Sequence, residues 1–273
     1  MERKPDWLSG FPVQIYCDSE VIIMLAEERF AAISQILEKQ GTVSVAELTE
    51  SLNVSESTIR RDLTEMHNQG YLKRVHGGAT SIRINHITAN DALSTRASKN
   101  TDIKQRLAQY AATLVKEDDF VFLDSGTTID ALIDALPSIN CHFVTNNISS
   151  AYKLALKGND VHLLGGSVDP TLSATIGSDA YLGLKKYNFT LAFFGVNGIH
   201  RRTGFSTPLL ADAMIKQTAI KQCKKSYIIA DDSKFDCVAN VTFASLNDAT
   251  IITTEVPDPI WHSLASVVEI NHL

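Results

Sequence analysis

Cysteine is scarce in this chain. Four are present, Cys17, Cys141, Cys223 and Cys237, with no Cys-x-x-Cys pair among them. That spacing suits neither a zinc ribbon nor a disulfide framework, so the expectation is reduced thiols in a cytoplasmic protein. The eight histidines include no His-Glu-x-x-His, and no metal or cofactor is expected. Long apolar runs are lacking too. The longest, Val21–Ala26, falls far short of the roughly 20 residues a membrane helix needs, so no membrane partner is expected. The basic start, Arg3-Lys4, leads into a polar, Pro-broken stretch rather than the apolar core of a secretory signal. An excess of positive charge is missing as well: 25 basic against 31 acidic residues give −6, so nucleic-acid binding would need a local patch.

What is present is the composition of a folded protein. The chain has 273 residues, 44% hydrophobic and 21% charged, a length that fits roughly two domains. Residues 1–23 lack periodicity and read as an N-terminal extension ahead of a natural start at Met24. From Met24 a helical stripe of Phe30, Ile33, Ile36 and Leu37 runs to Gly41, a suitable C-terminal glycine. Ser44-x-x-Glu47 is a capping box for a second helix, with Val45, Leu48 and Leu52 on its buried side. Asn53 suits a left-handed turn, and Ser55 caps a third helix from Glu56 to about Gln69, with Ile59, Leu63 and Met66 inward. Two short strands, 71–75 and 79–82, flank Gly77-Gly78. Three helices and a hairpin over 24–82 make a winged helix-turn-helix.

Residues 83–100 read as a polar linker, and 101–273 as a second domain. There, strands at 120–124, 141–145, 161–164, 190–196, 227–230 and 250–254 alternate with helices near 101–114 and at 128–136, 148–156, 179–184 and 210–222. The fold class is therefore α/β, with a mostly parallel sheet behind the N-terminal winged helix-turn-helix.

The third helix carries Ser57, Thr58, Arg60 and Arg61 on its outer side, with Ser55 at its start. A helix about 10–12 Å wide fits the major groove. Arginine there pairs bidentately with guanine, while Ser and Thr reach phosphates or base edges. Lys73, Arg74 and His76 lie in the hairpin beside it, placed for backbone or minor-groove contact. Paired arginines alone usually mean a solvated face, and Arg61-Asp62 reads equally as surface ion pairing. The conjunction with a capped helix, an Asn turn and a basic Gly-Gly wing favours DNA.

In the second domain the richest motif is Leu123-Asp124-Ser125-Gly126-Thr127-Thr128. A strand end, a Gly-containing hydroxyl loop and a helix start aim backbone N–H groups at one point, an anion site that suits a sugar phosphate. Thr145-Asn146-Asn147, Gly165-Gly166, Gly195-Val196-Asn197-Gly198 and Asp231-Asp232-Ser233-Lys234 end other strands, where open α/β sheets gather ligands. Lys216, on a later helix, reads either as a positive charge for the same crevice or as a solvated lysine.

Val54-Ser55-x-x-Thr58-Ile59-Arg60-Arg61-Asp62-Leu63, followed by Leu72-x-Arg74-x-His76-Gly77-Gly78-Ala79, closely resembles the DeoR-type family of bacterial transcriptional regulators, and the likeness runs from about Met24 to the C-terminus. The resemblance implies a repressor of a sugar-catabolism operon, bound to double-stranded operator DNA and released by a phosphorylated sugar. One small reading head covers little DNA, so a homo-oligomer, dimer or tetramer, is expected. The resemblance also implies a second domain similar in fold to ribose-phosphate isomerases and CoA-transferases. Effector contact carries over onto Asp124, Ser125, Gly126, Thr127, Thr128, Asn146, Asn147, Lys216 and Lys234. Gly204-Phe205-Ser206-Thr207-Pro208 looks most like members that regulate fructose or a related ketose, which points to an effector such as fructose 1-phosphate. The alternative is a sugar-phosphate isomerase-like enzyme with a DNA-binding appendage. Isomerisation needs a general base, and related isomerases carry acids where this chain has Asn197.

Overall fold

The computed structural model describes residues 24–81, 85–89 and 93–272. The expected extension 1–23 and Ile82 lie outside them. The first unit holds α1 (Ala26–Gln40), β1 (Thr42–Ser44), α2 (Val45–Leu52), α3 (Glu56–Asn68), β2 (Leu72–Val75) and β3 (Gly78–Ser81). Local chemistry sets its helix ends. Gly41 at φ 75° stops α1, and the Ser44 hydroxyl accepts from the Glu47 amide at 3.1 Å while Glu47 accepts from the Ser44 amide at 2.7 Å. Asn53 turns left-handed at φ 50°, and Ser55 accepts from the Thr58 amide at 3.2 Å. Ile33, Leu37, Leu48, Ile59, Leu63, Met66 and Leu72 close one apolar core. The wing gains a third strand: β1 pairs antiparallel with β3, opposite β2. Gly78 is required there, because a Cβ would stand 2.2 Å from the Val43 carbonyl oxygen.

Asp62 is not a surface residue. It is buried, and the Arg29 guanidinium clamps it with Nε at 2.6 Å and Nη2 at 3.0 Å. The adjacent Arg61 is therefore left exposed and unengaged by Asp62, the reverse of the pairing read from their adjacency.

The stretch expected as a linker carries structure. β4 (Asn85–Ile87) and α4 (Leu93–Ser98) precede α5 (Thr101–Ala112). β4 pairs in parallel with β14 (Cys237–Ala239), Asn85 opposite Cys237, so its stability comes from a strand about 150 residues away rather than from any local pattern.

The second unit continues with β5 (Phe120–Leu123), α6 (Thr127–Ala135), β6 (His142–Thr145), α7 (Ile148–Leu156), β7 (Asp160–Leu163), β8 (Ser167–Asp169), β9 (Ala174–Ile176), α8 (Ser178–Leu184) and β10 (Phe189–Phe194). After β10 come β11 (Gly198–His200), β12 (Gly204–Thr207), α9 (Leu210–Lys221), β13 (Cys223–Ile229), β14, β15 (Val241–Ala244), β16 (Thr250–Thr253), α10 (Trp261–Leu264) and β17 (Val267–Glu269). Seven strands form a parallel sheet in the order β17-β16-β13-β10-β5-β6-β7. Its two faces are covered by separate apolar clusters, one around Phe122, Phe194 and Phe243, the other around Leu123, Phe143 and Phe193. From β5 the chain winds outward to β6 and β7, then returns to lay β10 on the other side of β5. The topological switch point is thus between β5 and β10, where such sheets leave a crevice at their carboxyl ends. β11, β12 and β15 form a separate antiparallel sheet.

Among the described residues no helix is long and apolar enough to cross a membrane, and no group of three or more His, Cys, Asp or Glu side chains is placed to hold a metal.

The Arg29–Asp62 clamp yields a stability prediction. Arg29→Met leaves a buried carboxylate without its cation and should destabilise the reading head by about 3–5 kcal/mol. Arg29→Met with Asp62→Leu should recover most of that loss. Chemical denaturation of the three proteins, followed through the N-terminal helices, measures both.

Candidate functional site

The carboxyl ends of β5, β10 and β13 open into a cavity of about 730 Å³. Ser125, Gly126, Thr127 and Thr128 line it from the turn into α6, Gly195, Val196 and Asn197 from the turn after β10, and Asp231, Ser233 and Lys234 from the turn after β13. Gly126 sits at φ 132° and no side chain caps α6. The first amides of a helix have no intrahelical acceptor, so this end offers N–H donors and the positive end of the helix dipole.

Lys216 also lines the cavity and is not solvated; its side chain is 4% exposed. Its ammonium contacts the Asp124 carboxylate directly and lies 3.5 Å from Asp212. Asp124 is fully buried beneath the cavity and also accepts from the Gly195 amide at 3.0 Å. Burial pushes the Asp124 carboxyl up to about 6, the Lys216 charge opposing and the nearby Asp212 adding to it. Burial also works against the Lys216 ammonium, but the two carboxylates overcome it and hold its pKa above the ordinary lysine value. At neutral pH Asp124 and Lys216 therefore face each other as an ion pair. Thr207 at the end of β12 joins them, donating to Asp212 at 2.7 Å.

Lys234 faces the same space, so six of the nine expected effector residues line the cavity: Ser125, Gly126, Thr127, Thr128, Lys216 and Lys234. Asp124 supports it from below. Asn146 and Asn147 do not reach it. Asn146 donates to the Thr175 carbonyl at 3.2 Å, and Asn147 caps α7 by accepting from the Ser150 amide at 3.0 Å. An Asn between strand and helix is spent on the helix start, the ordinary use of that residue type. Gly204-Phe205-Ser206-Thr207 is β12, buried and away from the cavity wall.

The sequence reading passed over the wall formed by β4, α4 and the start of α5, which contributes Arg96, Lys99, Asn100 and Lys104. Lys104 is 9% exposed and donates to the Thr127 hydroxyl at 3.0 Å and to the Arg96 carbonyl. No carboxylate pairs with it among the described residues. Burial lowers its pKa, with Asp231 opposing and Lys234, Arg96 and Lys99 adding to the fall. Three basic residues within nine positions were the available signal.

At the other end, α3 exposes Ser57, Arg60 and Arg61, with Thr58 half-buried and Ser55 at the cap. Lys73, Arg74 and His76 are exposed on β2 and the turn to β3. Arg74 donates to Thr64 on α3 at 2.9 Å, which fixes wing against helix. Arg60 pairs with Glu56 at 3.2 Å in an exposed contact worth about 0.3–0.5 kcal/mol, cheap to exchange for a phosphate or base.

The buried triad makes the domain sensitive to Lys216. Lys216→Met leaves Asp124 and Asp212 as two carboxylates in a dry site, a loss of about 3–5 kcal/mol at pH 7. Without the ammonium the Asp124 carboxyl, already pushed up to about 6 by burial, rises further above its unfolded value. The penalty is therefore full above that folded value and shrinks as pH falls toward it. Denaturant unfolding at pH 7 and pH 5 should show a smaller deficit at pH 5.

Comparison with known proteins agrees with both halves of this geometry. The DeoR-like helix-turn-helix domain matches residues 29–85, and the DeoR C terminal sensor domain matches residues 99–256. The HTH-type transcriptional regulator FruR of Bacillus subtilis (strain 168) is 40% identical over 236 residues, covering 86% of this chain and 93% of its own. The lactose phosphotransferase system repressor of Streptococcus mutans serotype c is 33% identical over 240 residues, covering 86% and 94%. Among solved structures, ribose 5-phosphate isomerase of Methanocaldococcus jannaschii aligns at a TM-score of 0.39 with 15% identity, over 50% of this chain and 55% of that one. The sequence relatives are named regulators and repressors, not enzymes. With a reading head on a capped helix and a sensor domain over a parallel sheet, this chain belongs to the DeoR-type family of transcriptional regulators.

Proposed function

We propose that the protein represses a sugar-utilisation operon and lets go of its operator when a phosphorylated sugar, of the ketose phosphate class such as fructose 1-phosphate, enters the cavity. Residues 24–82 read DNA, and 101–273 bind the effector and assemble the homo-oligomer. The observation that carries the effector reading is Lys104. Among the described residues this buried ammonium hydrogen-bonds neutral oxygens and forms no ion pair. Further cations surround it, Asp231 is a more distant opposing charge and an uncapped helix start lies beside it, a setting that suits an added anion. A phosphate supplies one, with up to three acceptor oxygens for the amides of α6, the hydroxyls of Thr127 and Thr128, and Lys104. Asn100, Asn197 and Ser233 also line the cavity, which suits contact with sugar hydroxyls. The name of the Streptococcus relative, a lactose phosphotransferase repressor, supports a sugar-linked operon. Two-fold assembly follows from the reading head, since one small module covers little DNA.

Two measurements test this. Calorimetry should show fructose 1-phosphate binding at least about tens-fold tighter than fructose, because a neutral sugar leaves buried donors unsatisfied at about 1–3 kcal/mol each. Lys104→Met should abolish most of that difference without weakening operator binding. Equal affinity for free sugar overturns the phosphate reading. In gel-shift titrations at fixed salt, Arg61→Ala should weaken operator binding by about 1–3 kcal/mol, roughly 5- to 150-fold, with effector affinity unchanged. Undiminished affinity removes Arg61 from the reading face.

A further inference from the structure

The β11–β12 hairpin runs from the cavity to the reading head. Asn197, at its base, lines the cavity, and Thr207, at its other base, bonds both Asn197 at 3.2 Å and Asp212 at 2.7 Å. Its tip is Arg201-Arg202. At about 3.3 Å per residue, base and tip are roughly 13 Å apart. The tip holds the first unit by several contacts. Arg201 Nη1 donates to the His67 carbonyl at 2.9 Å, while Nη2 donates at 3.0 Å to Asp258 of its own unit. His67 Nε2 lies 3.2 Å from that same Asp258 oxygen. Gly70 approaches so closely that a Cβ there would meet Arg201 Cβ at 3.0 Å. The Arg202 guanidinium covers the Tyr71 ring at 4.3 Å. His67 belongs to α3, the helix that carries Arg60 and Arg61, and Gly70 and Tyr71 follow directly after it.

The hairpin has no slack. Every residue of β11 and β12 is buried. Gly198 and Gly204 leave no room for a Cβ, which would stand 2.5 Å from the Cys237 carbonyl oxygen and 2.3 Å from that of Ala244. The Arg201 side chain is 4% exposed and stacks over Trp261 at 5.5 Å. An element pinned along its length moves as a unit.

We infer that this hairpin is a strut through which an occupied cavity repositions the reading head, with Arg201 as the positioning residue at its tip. The inference rests on the effector reading above. A ligand on Asn197 or on the Lys216–Asp212–Thr207 chain displaces the base, and the rigid strands carry that displacement to His67 and so to the end of α3. The Arg201 side chain is buried and does not line the cavity. Its contribution is the difference in head position between the empty and the occupied states.

The experiment uses the full chain with Arg201→Ala, Arg201→Lys and Tyr71→Ala. Small-angle scattering without ligand should show a larger radius of gyration for Arg201→Ala than for the parent, as the head leaves its dock. Operator Kd is then measured with and without saturating fructose 1-phosphate, whose binding is followed by calorimetry. The parent should release operator by about tenfold or more, within the usual 5- to 150-fold range of coupling between sites. Arg201→Ala should bring that ratio to within about twofold of 1 while fructose 1-phosphate affinity stays within about twofold of the parent. Arg201→Lys, which keeps a cation for Asp258, should recover part of the ratio. A structural role alone would weaken both ligands and leave the ratio standing. An unchanged ratio, or an unchanged radius of gyration, in Arg201→Ala overturns the strut. Should Arg201→Ala fail to fold, exposed Tyr71→Ala takes its place: a severalfold smaller ratio supports the strut and a parental ratio overturns it. If fructose 1-phosphate does not bind the parent, the effector reading falls by itself, and the scattering comparison still decides whether Arg201 docks the head.

Discussion

One buried ammonium holds the second domain's working parts together. Lys216 comes from α9, Asp124 from the end of β5, Asp212 from one turn earlier on α9, and Thr207 ties the group to β12. Replacing a buried ion pair by apolar side chains is often neutral or stabilising, so stability does not explain its presence. Position does. The triad lies at the switch point of the sheet, directly beneath the cavity. There it fixes the Gly195 turn through the Asp124 carboxylate and presents a cation to the cavity without leaving that cation unpaired.

Charge is distributed to match. The chain is acidic overall, yet its two ligand surfaces are cationic: Arg60, Arg61, Lys73 and Arg74 on the head, Arg96, Lys99 and Lys104 around the cavity. The two surfaces respond differently to salt. On the proposed reading, the head's exposed cations would act on DNA by counterion release, which salt suppresses steeply. Lys104 is buried, and a charge pair formed there is screened far less. If both proposed sites act as read, ionic strength should loosen DNA well before it loosens the effector.

Sequence exposes those parts of the structure whose causes are local. The Ser44–Glu47 box, the Asn53 turn, the Ser55 cap and the Gly41 stop each operate within three or four residues and can be read directly. The buried parallel strands announce themselves as short apolar runs separated by helices. Non-local causes stay hidden. Asp62 reads as a partner for adjacent Arg61, whereas its partner is Arg29, 33 positions earlier. Residues 83–100 look like a polar linker because β4 has no alternation of its own and needs β14 to exist. With that strand unseen, the cations Arg96, Lys99 and Lys104 have no visible site to serve. Asn146 and Asn147 show the opposite error: polar groups at a strand end suit a ligand, but the start of α7 and the Thr175 carbonyl claim them first.

The strength of the contact between head and sensor domain bears on how such a protein switches. A ligand shifts an equilibrium only by the difference in its affinity for the two states, and operator and effector must weaken each other by the same factor. Coupling of this kind amounts to about 1–3 kcal/mol. The dock consists of the Arg201–His67 hydrogen bond, the His67–Asp258 contact and the Arg202–Tyr71 cation–ring contact, each worth about 0.5–1.5 kcal/mol net. Their sum is comparable with the coupling it has to transmit. A larger apolar interface would lock the head in one position whatever the cavity held, and an absent one would let it move whatever the cavity held. On the proposed reading, a small polar dock at the end of a rigid hairpin is the arrangement in which a single phosphate can tip the balance.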